Sequence, residues 1–104
     1  VAARVARARA VQAERYEARG LDRVTTNALC PAAMIEEIAA PDAGGAALLR
    51  EASDRLALSA RAYHRVLRVS RTLADLDGSD TVKRIHLAEA ISWRMAGERR
   101  AQAA

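Results

Sequence analysis

The chain has 104 residues, too few for a second substantial core, and so reads as one domain. Ala fills 26 positions and Leu 10, while Phe is absent and the only aromatic residues are Tyr16, Tyr63 and Trp93. This mixture favours helices and disfavours a sandwich or barrel; five Gly and two Pro exclude a collagen-like or linker chain. The net charge is +4, from 16 Arg and one Lys against 13 acids. It permits nucleic acid, nucleotide phosphate or an acidic partner without choosing among them.

The segment from Val1 to about Arg19 has no Gly or Pro and is predicted as a helix, with Val5, Ala8, Val11, Gln12 and Tyr16 along one stripe. Gly20 suits the position after its end. Residues 21–30 form a connector in which Thr25, Thr26 and Asn27 are expected to bond to local backbone. Pro31 opens a short helix to Ala40 that buries Met34, Ile35 and Ile38. Asp42 is the expected N-cap of a third helix, to about Leu56, with Leu48, Leu49, Ala52 and Leu56 on one side; Gly44 and Gly45 are expected to fray its first turn.

Ser59 caps the strongest helix, to about Leu76, with Tyr63, Val66, Leu67, Ser70, Leu73 and Ala74 facing inward. Asp77-Gly78-Ser79 stops it, and Val82 plugs into the core. A last helix from near Ile85 to about Met95 turns Leu87, Ala88, Ile91 and Met95 inward, and the tail from Gly97 through Arg99-Arg100 is expected to fray. The expected fold is all-α, a small bundle of four to five helices.

No catalytic set is recognisable: there is no glycine-rich phosphate loop, no paired Cys or His at metal-ligand spacing, and no nucleophile with a matching base. Cys30 reads as a small buried hydrophobe, His64 and His86 as structural, and Trp93 as a core or edge ring. A single Cys forms no intrachain disulfide, and no apolar run reaches the roughly 18 residues of a membrane span, so a cytoplasmic domain without membrane contact is expected. The first residue is Val, which fits a piece of a longer protein.

The fourth helix carries Arg61, His64, Arg65, Arg68 and Arg71 on one side, within about 120° at 100° per residue. Two readings of it stand. It is a solvated face on which Arg71 and Asp75, one turn apart, form an ion pair. Or Arg61, in a first turn whose dipole disfavours a cation, reaches an external anion that the helix N-terminus also attracts, a phosphate above all.

The run Leu58-Ser59-Ala60-Arg61-Ala62-Tyr63-His64-Arg65, with Arg71-Thr72-Leu73-Ala74-Asp75-Leu76 and His86-Leu87-Ala88-Glu89-Ala90-Ile91, closely resembles the C-terminal domain of the magnesium-chelatase-like AAA+ ATPases, and most of all their ComM-like competence branch. Val5, Ala8-Arg9 and Gln12, and the connector Asn27-Ala28-Leu29, extend the resemblance over almost the whole chain. It implies a helical lid following an AAA+ core in the same chain. In such proteins the lid lies over ATP, which binds with Mg2+, and supplies a sensor-2 arginine near the γ-phosphate. Arg61 matches that position, and Arg65 and Arg68 lie beside it within reach of phosphate or core. The resemblance also implies neighbouring subunits in a hexameric ring and, for the ComM-like branch, DNA as a partner of the parent protein; the family's chelatase branch instead drives Mg2+ insertion into protoporphyrin. The 104 residues contain no Walker motif and are not expected to hydrolyse ATP alone. A small basic helical module binding DNA or protein directly is the alternative. Two departures from the family pattern stand out. Arg84 occupies the place of a capping Thr or Asp, which predicts a loose start to the last helix. Region 29–45 also differs, with Pro31, Pro41 and the Gly pair.

Overall fold

The structure is a computed structural model describing residues 2–21 and 23–103, with side chains described as far as residue 95. Among the described residues five α-helices follow one another: α1 (Ala2–Ala18), α2 (Ala32–Ile38), α3 (Ala43–Leu56), α4 (Ala60–Leu76) and α5 (Arg84–Ala103), with a 3-10 turn at Asn27–Leu29 between α1 and α2. The all-α bundle expected from composition is the fold observed.

The boundaries follow local chemistry. Gly20 takes a φ of +76°, and the Leu21 N–H turns back to the Tyr16 carbonyl at 2.9 Å, closing α1. The Asp42 carboxylate accepts from the Gly45 N–H at 2.8 Å and the Ser59 hydroxyl from the Ala62 N–H at 3.1 Å, so α3 and α4 both start capped; each such cap is worth about 1 kcal/mol. Between these helices Ala57 sits in the left-handed region, at φ 49° and ψ 52°.

Two expectations about helix starts are corrected. Gly44 and Gly45 do not fray. Gly45 is buried where α3 meets the start of α5, and a Cβ on it would stand 2.9 Å from Pro41 Cβ and 3.4 Å from the Arg84 nitrogen. The start of α5 is not loose either, because His86 takes the role Arg84 cannot. Its Nδ1 accepts the Lys83 N–H at 3.0 Å while its Nε2 meets Asp77 Oδ2 at 2.8 Å. The reciprocal half of a capping box is thus supplied by a buried imidazole. Helix α5 also continues past Met95 and through Gly97 to Ala103; the side chains of Arg99 and Arg100 lie outside the described residues.

Helix α4 is the centre of the packing, touching α1, α2, α5 and the 3-10 turn, while α3 packs chiefly on α5. Tyr16, Ile35, Leu49, Val66, Leu67, Ala74, Val82, Leu87 and Ile91 belong to one core. Val82 is the expected plug: it is fully buried, and its carbonyl accepts the Asp42 N–H at 2.9 Å in an isolated parallel bridge with Pro41. The apolar stripes are narrower than the sequence implies. Val5, Val11 and Met95 are exposed, Ala90 rather than Ala88 is buried, and Trp93, read as a core or edge ring, is 59 % exposed. Helix α5 packs through Leu87, Ala90 and Ile91, and Trp93 falls on its outer side.

Candidate functional site

The side of α4 bearing Arg61, Arg65, Arg68, Thr72 and Asp75 is one continuous stripe at helical spacing. Its surroundings change halfway along. Over the N-terminal half nothing among the described residues covers it, and Arg61 and Arg65 are exposed. Over the C-terminal half the 3-10 turn and α1 cross it, and Arg71 and Asp75 are buried at 4 % and 6 % exposure. The same helix face is therefore surface at one end and interior at the other.

The covered end is a polar network. Asp75 accepts from Arg15 Nη1 at 2.9 Å and Nη2 at 2.7 Å, from Asn27 Nδ2 at 2.9 Å, and pairs with Arg71 Nη2 at 3.1 Å. Asn27 is fully used: its N–H donates to Gln12 Oε1, its second Nδ2 hydrogen to Thr72 Oγ1, and its Oδ1 accepts from Tyr16 at 2.7 Å and from Arg15. Arg71 also donates to the Ser79 and Asp80 carbonyls, tying down the α4–α5 connection. The hydrogen bond to Asp75 raises the Arg15 pKa against the cost of burial, whereas burial outweighs Asp75 for Arg71 and lowers its pKa. Burial first, then Cys30, pushes the Tyr16 phenol well above its usual range. A cleft of about 280 Å³ opens over this network between α1 and the α4–α5 connection, lined in part by Arg15, Arg19, Arg71 and Asp80. Neither Arg61 nor Arg65 lines it.

This overturns two expectations. Arg71 and Asp75 form an ion pair, but a buried one within a network rather than on a solvated face. The Asn27 side chain bonds across the fold to α1 and α4, not to its local backbone. Sequence reasoning had one usable signal: Gln12 on the buried stripe of α1, a polar group that needs a partner.

The open end is different. Arg61 is the second residue of α4, past the Ser59 cap, and Arg65 follows one turn later. Among the described residues neither makes a hydrogen bond or ion pair. Two exposed guanidinium forks thus stand beside a capped helix N-terminus, an arrangement suited to a multivalent anion. Arg68, next along the stripe, is occupied: Nε at 3.1 Å and Nη2 at 2.9 Å both donate to the Cys30 carbonyl. His64 stacks edge-on with Tyr63, their centroids 5.9 Å apart, and lies 3.8 Å from Glu36 of α2. Cys30 is buried, and its Sγ makes a long contact of 3.6 Å to the Pro31 carbonyl. The described residues include no cluster of three or more His, Cys, Asp or Glu suited to a metal ion, and no helix among them is long and apolar enough to cross a membrane.

A family model described as magnesium chelatase, subunit ChlI C-terminal, matches residues 1–94. The chain belongs to this family. Within it, 46 residues, or 44 % of the chain, are 54 % identical to competence protein ComM of Haemophilus influenzae, and 39 residues are 56 % identical to protein YifB of Escherichia coli. A Mycobacterium tuberculosis relative, Rv2897c, is 37 % identical over 97 residues, 93 % of the chain. The matched stretches span 9 %, 8 % and 19 % of the lengths of these three proteins. No solved structure matches the chain. The motif residues behind the resemblance separate physically in this family member: Gln12, Asn27, Arg71, Thr72 and Asp75 build the interior network, and Arg61 and Arg65 stay on the surface.

Proposed function

We propose that this domain is the lid of a magnesium-chelatase-like AAA+ ATPase and that Arg61 is its sensor-2 arginine, reading the γ-phosphate of ATP held by a core in the same chain. One observation carries the reading: Arg61 is exposed and, among the described residues, unpaired at the capped start of α4, although Asp75 at the other end of the same stripe is buried and bonded to Arg15, Asn27 and Arg71. A cation in a helix's first turn loses a few tenths of a kcal/mol to the dipole, and an anionic ligand reverses that cost. The donors fit a phosphate: two guanidinium forks, always charged, able to pair in two-pronged fashion. Arg65, one turn on, is the second phosphate contact. Bound ATP with Mg2+ supplies the phosphoryl group whose loss the fork senses.

In this reading the parent is a ComM-like, cytoplasmic, DNA-acting motor that forms a hexameric ring and whose lid turns with nucleotide state; the stretch 54 % identical to ComM supports it. A direct DNA-binding module is supported less well, because Arg68 and Arg71 spend their hydrogen bonds inside the fold. The test is ATP turnover by the full-length protein. Arg61→Ala should lower it at least tenfold with an unchanged melting temperature, since an exposed unpaired side chain contributes within about 0.5 kcal/mol to stability. Unchanged turnover would remove the sensor assignment.

A further inference from the structure

Arg68 lies on the same stripe as Arg61 and Arg65, yet its guanidinium faces the fold. Nε and Nη2 close on a single oxygen, the Cys30 carbonyl, at 3.1 Å and 2.9 Å. That carbonyl has a particular need. Cys30 is 1 % exposed, it precedes a proline, and the first turn of α2 is served by the Pro31 carbonyl, which takes the Met34 and Ile35 N–H groups. No helix ladder uses the Cys30 oxygen, so Arg68 satisfies a buried acceptor that is costly to leave unmade. The bond is charge-assisted and two-pronged, which fixes direction as well as distance. It falls where the stripe passes from covered to open.

We propose that Arg68 is a positioning residue for Arg61: it pins α4 to the junction of the 3-10 turn and α2 and so sets where the Arg61 fork points. The proposal rests on the sensor reading of Arg61 above. From Arg68 to Arg61 the helix axis runs about 10 Å at 1.5 Å per residue. Toward its C-terminus α4 is held by Asp75 and Arg71; toward its N-terminus Arg68 is the last side chain of the stripe with a hydrogen bond to another element. Releasing that bond and letting α4 tilt by about 6° moves Arg61 through about 1 Å, a displacement that can cost on the order of 100-fold when a catalytic group must meet developing charge. Lys at this position offers one ammonium to the carbonyl and holds distance but not direction.

The experiment is a double-mutant cycle on ATP turnover by the full-length protein, with Arg61→Ala, Arg68→Met and both together. Arg68→Met alone should lower kcat about tenfold or more with KM for ATP changed less than threefold, and should add nothing in the Arg61→Ala background, since it acts only through Arg61. Arg68→Lys should recover part of the loss. If Arg68→Met does not yield folded protein, Arg68→Lys takes its place in the cycle. An equal loss in both backgrounds would make Arg68 an independent contact and overturn the proposal, as would unchanged turnover in folded Arg68→Met. If Arg61→Ala itself leaves turnover unchanged, the sensor reading fails and the positioning role with it. A cycle that fails while Arg61→Ala is impaired removes only the role of Arg68.

Discussion

Replacing Asp75 by Asn tests whether the buried network holds the bundle together. The substitution keeps the shape and removes the charge, so Arg15 and Arg71, whose side chains are 17 % and 5 % exposed, lose their shared counter-ion. One carboxylate oxygen also becomes an amide donor facing guanidinium and Asn27 donors. Removing one partner of a buried ion pair costs about 3–5 kcal/mol, a large part of the 5–15 kcal/mol typical of a small domain. At about 4 °C per kcal/mol for a domain of this size, the melting temperature should fall by roughly 12–20 °C. Thermal unfolding of the 104-residue chain followed by circular dichroism reads this directly. The same substitution should cost less in an Arg71→Met background, where only one guanidinium is stranded. A fall below about 4 °C would refute the reasoning, because the network would then be an ornament on a fold held by apolar packing.

Three further outcomes follow from the packing and the ionisable groups. Gly45→Ala should destabilise by about 1–3 kcal/mol, since its Cβ meets Pro41 at 2.9 Å and outweighs the gain in helix propensity; Gly44→Ala, with its nearest neighbour at 3.7 Å, should be neutral or stabilising by up to about 1 kcal/mol in the same thermal melts. His86→Ala should cost about 1–2 kcal/mol by freeing the Lys83 N–H and the Asp77 carboxylate, with faster amide exchange confined first to the start of α5. The raised pKa of Tyr16 fixes the sign of an alkaline effect: the unfolded phenol releases its proton near pH 10 while the folded one retains it, so stability is full below that pH and falls as pH rises above it. A stability curve flat from pH 9 to 11.5, or one equally steep in Tyr16→Phe, would contradict this.

Much of the fold was legible because its signals are local. Asp42, Ser59 and Gly20 act within three residues of themselves, and the spacing of Val66, Leu67, Ser70 and Ala74 marks the buried side of α4 without knowledge of its partners. What could not be read depends on which element crosses which. Arg71 and Asp75 share the stripe of Arg61 and Arg65, so helical periodicity assigns them one fate; only the passage of the 3-10 turn and α1 over half the stripe separates them. The same limit hid the capping role of His86, since the local signal favoured an oxygen at the start of α5, and the use of Gly45, whose missing side chain matters only because α5 arrives there. The exposure of Arg61 and Arg65 follows from the same crossing.

The position of α4 has a mechanical consequence. It bears directly on α1, α2, α5 and the 3-10 turn, whereas α3 is attached mainly through α5 and through the left-handed Ala57. A torque applied near Arg61 therefore enters a spindle, and most of the bundle turns with it as one body. Helix α3 rides along as an outrigger, joined to the spindle's tip by the one non-glycine residue among those described that is wound the wrong way.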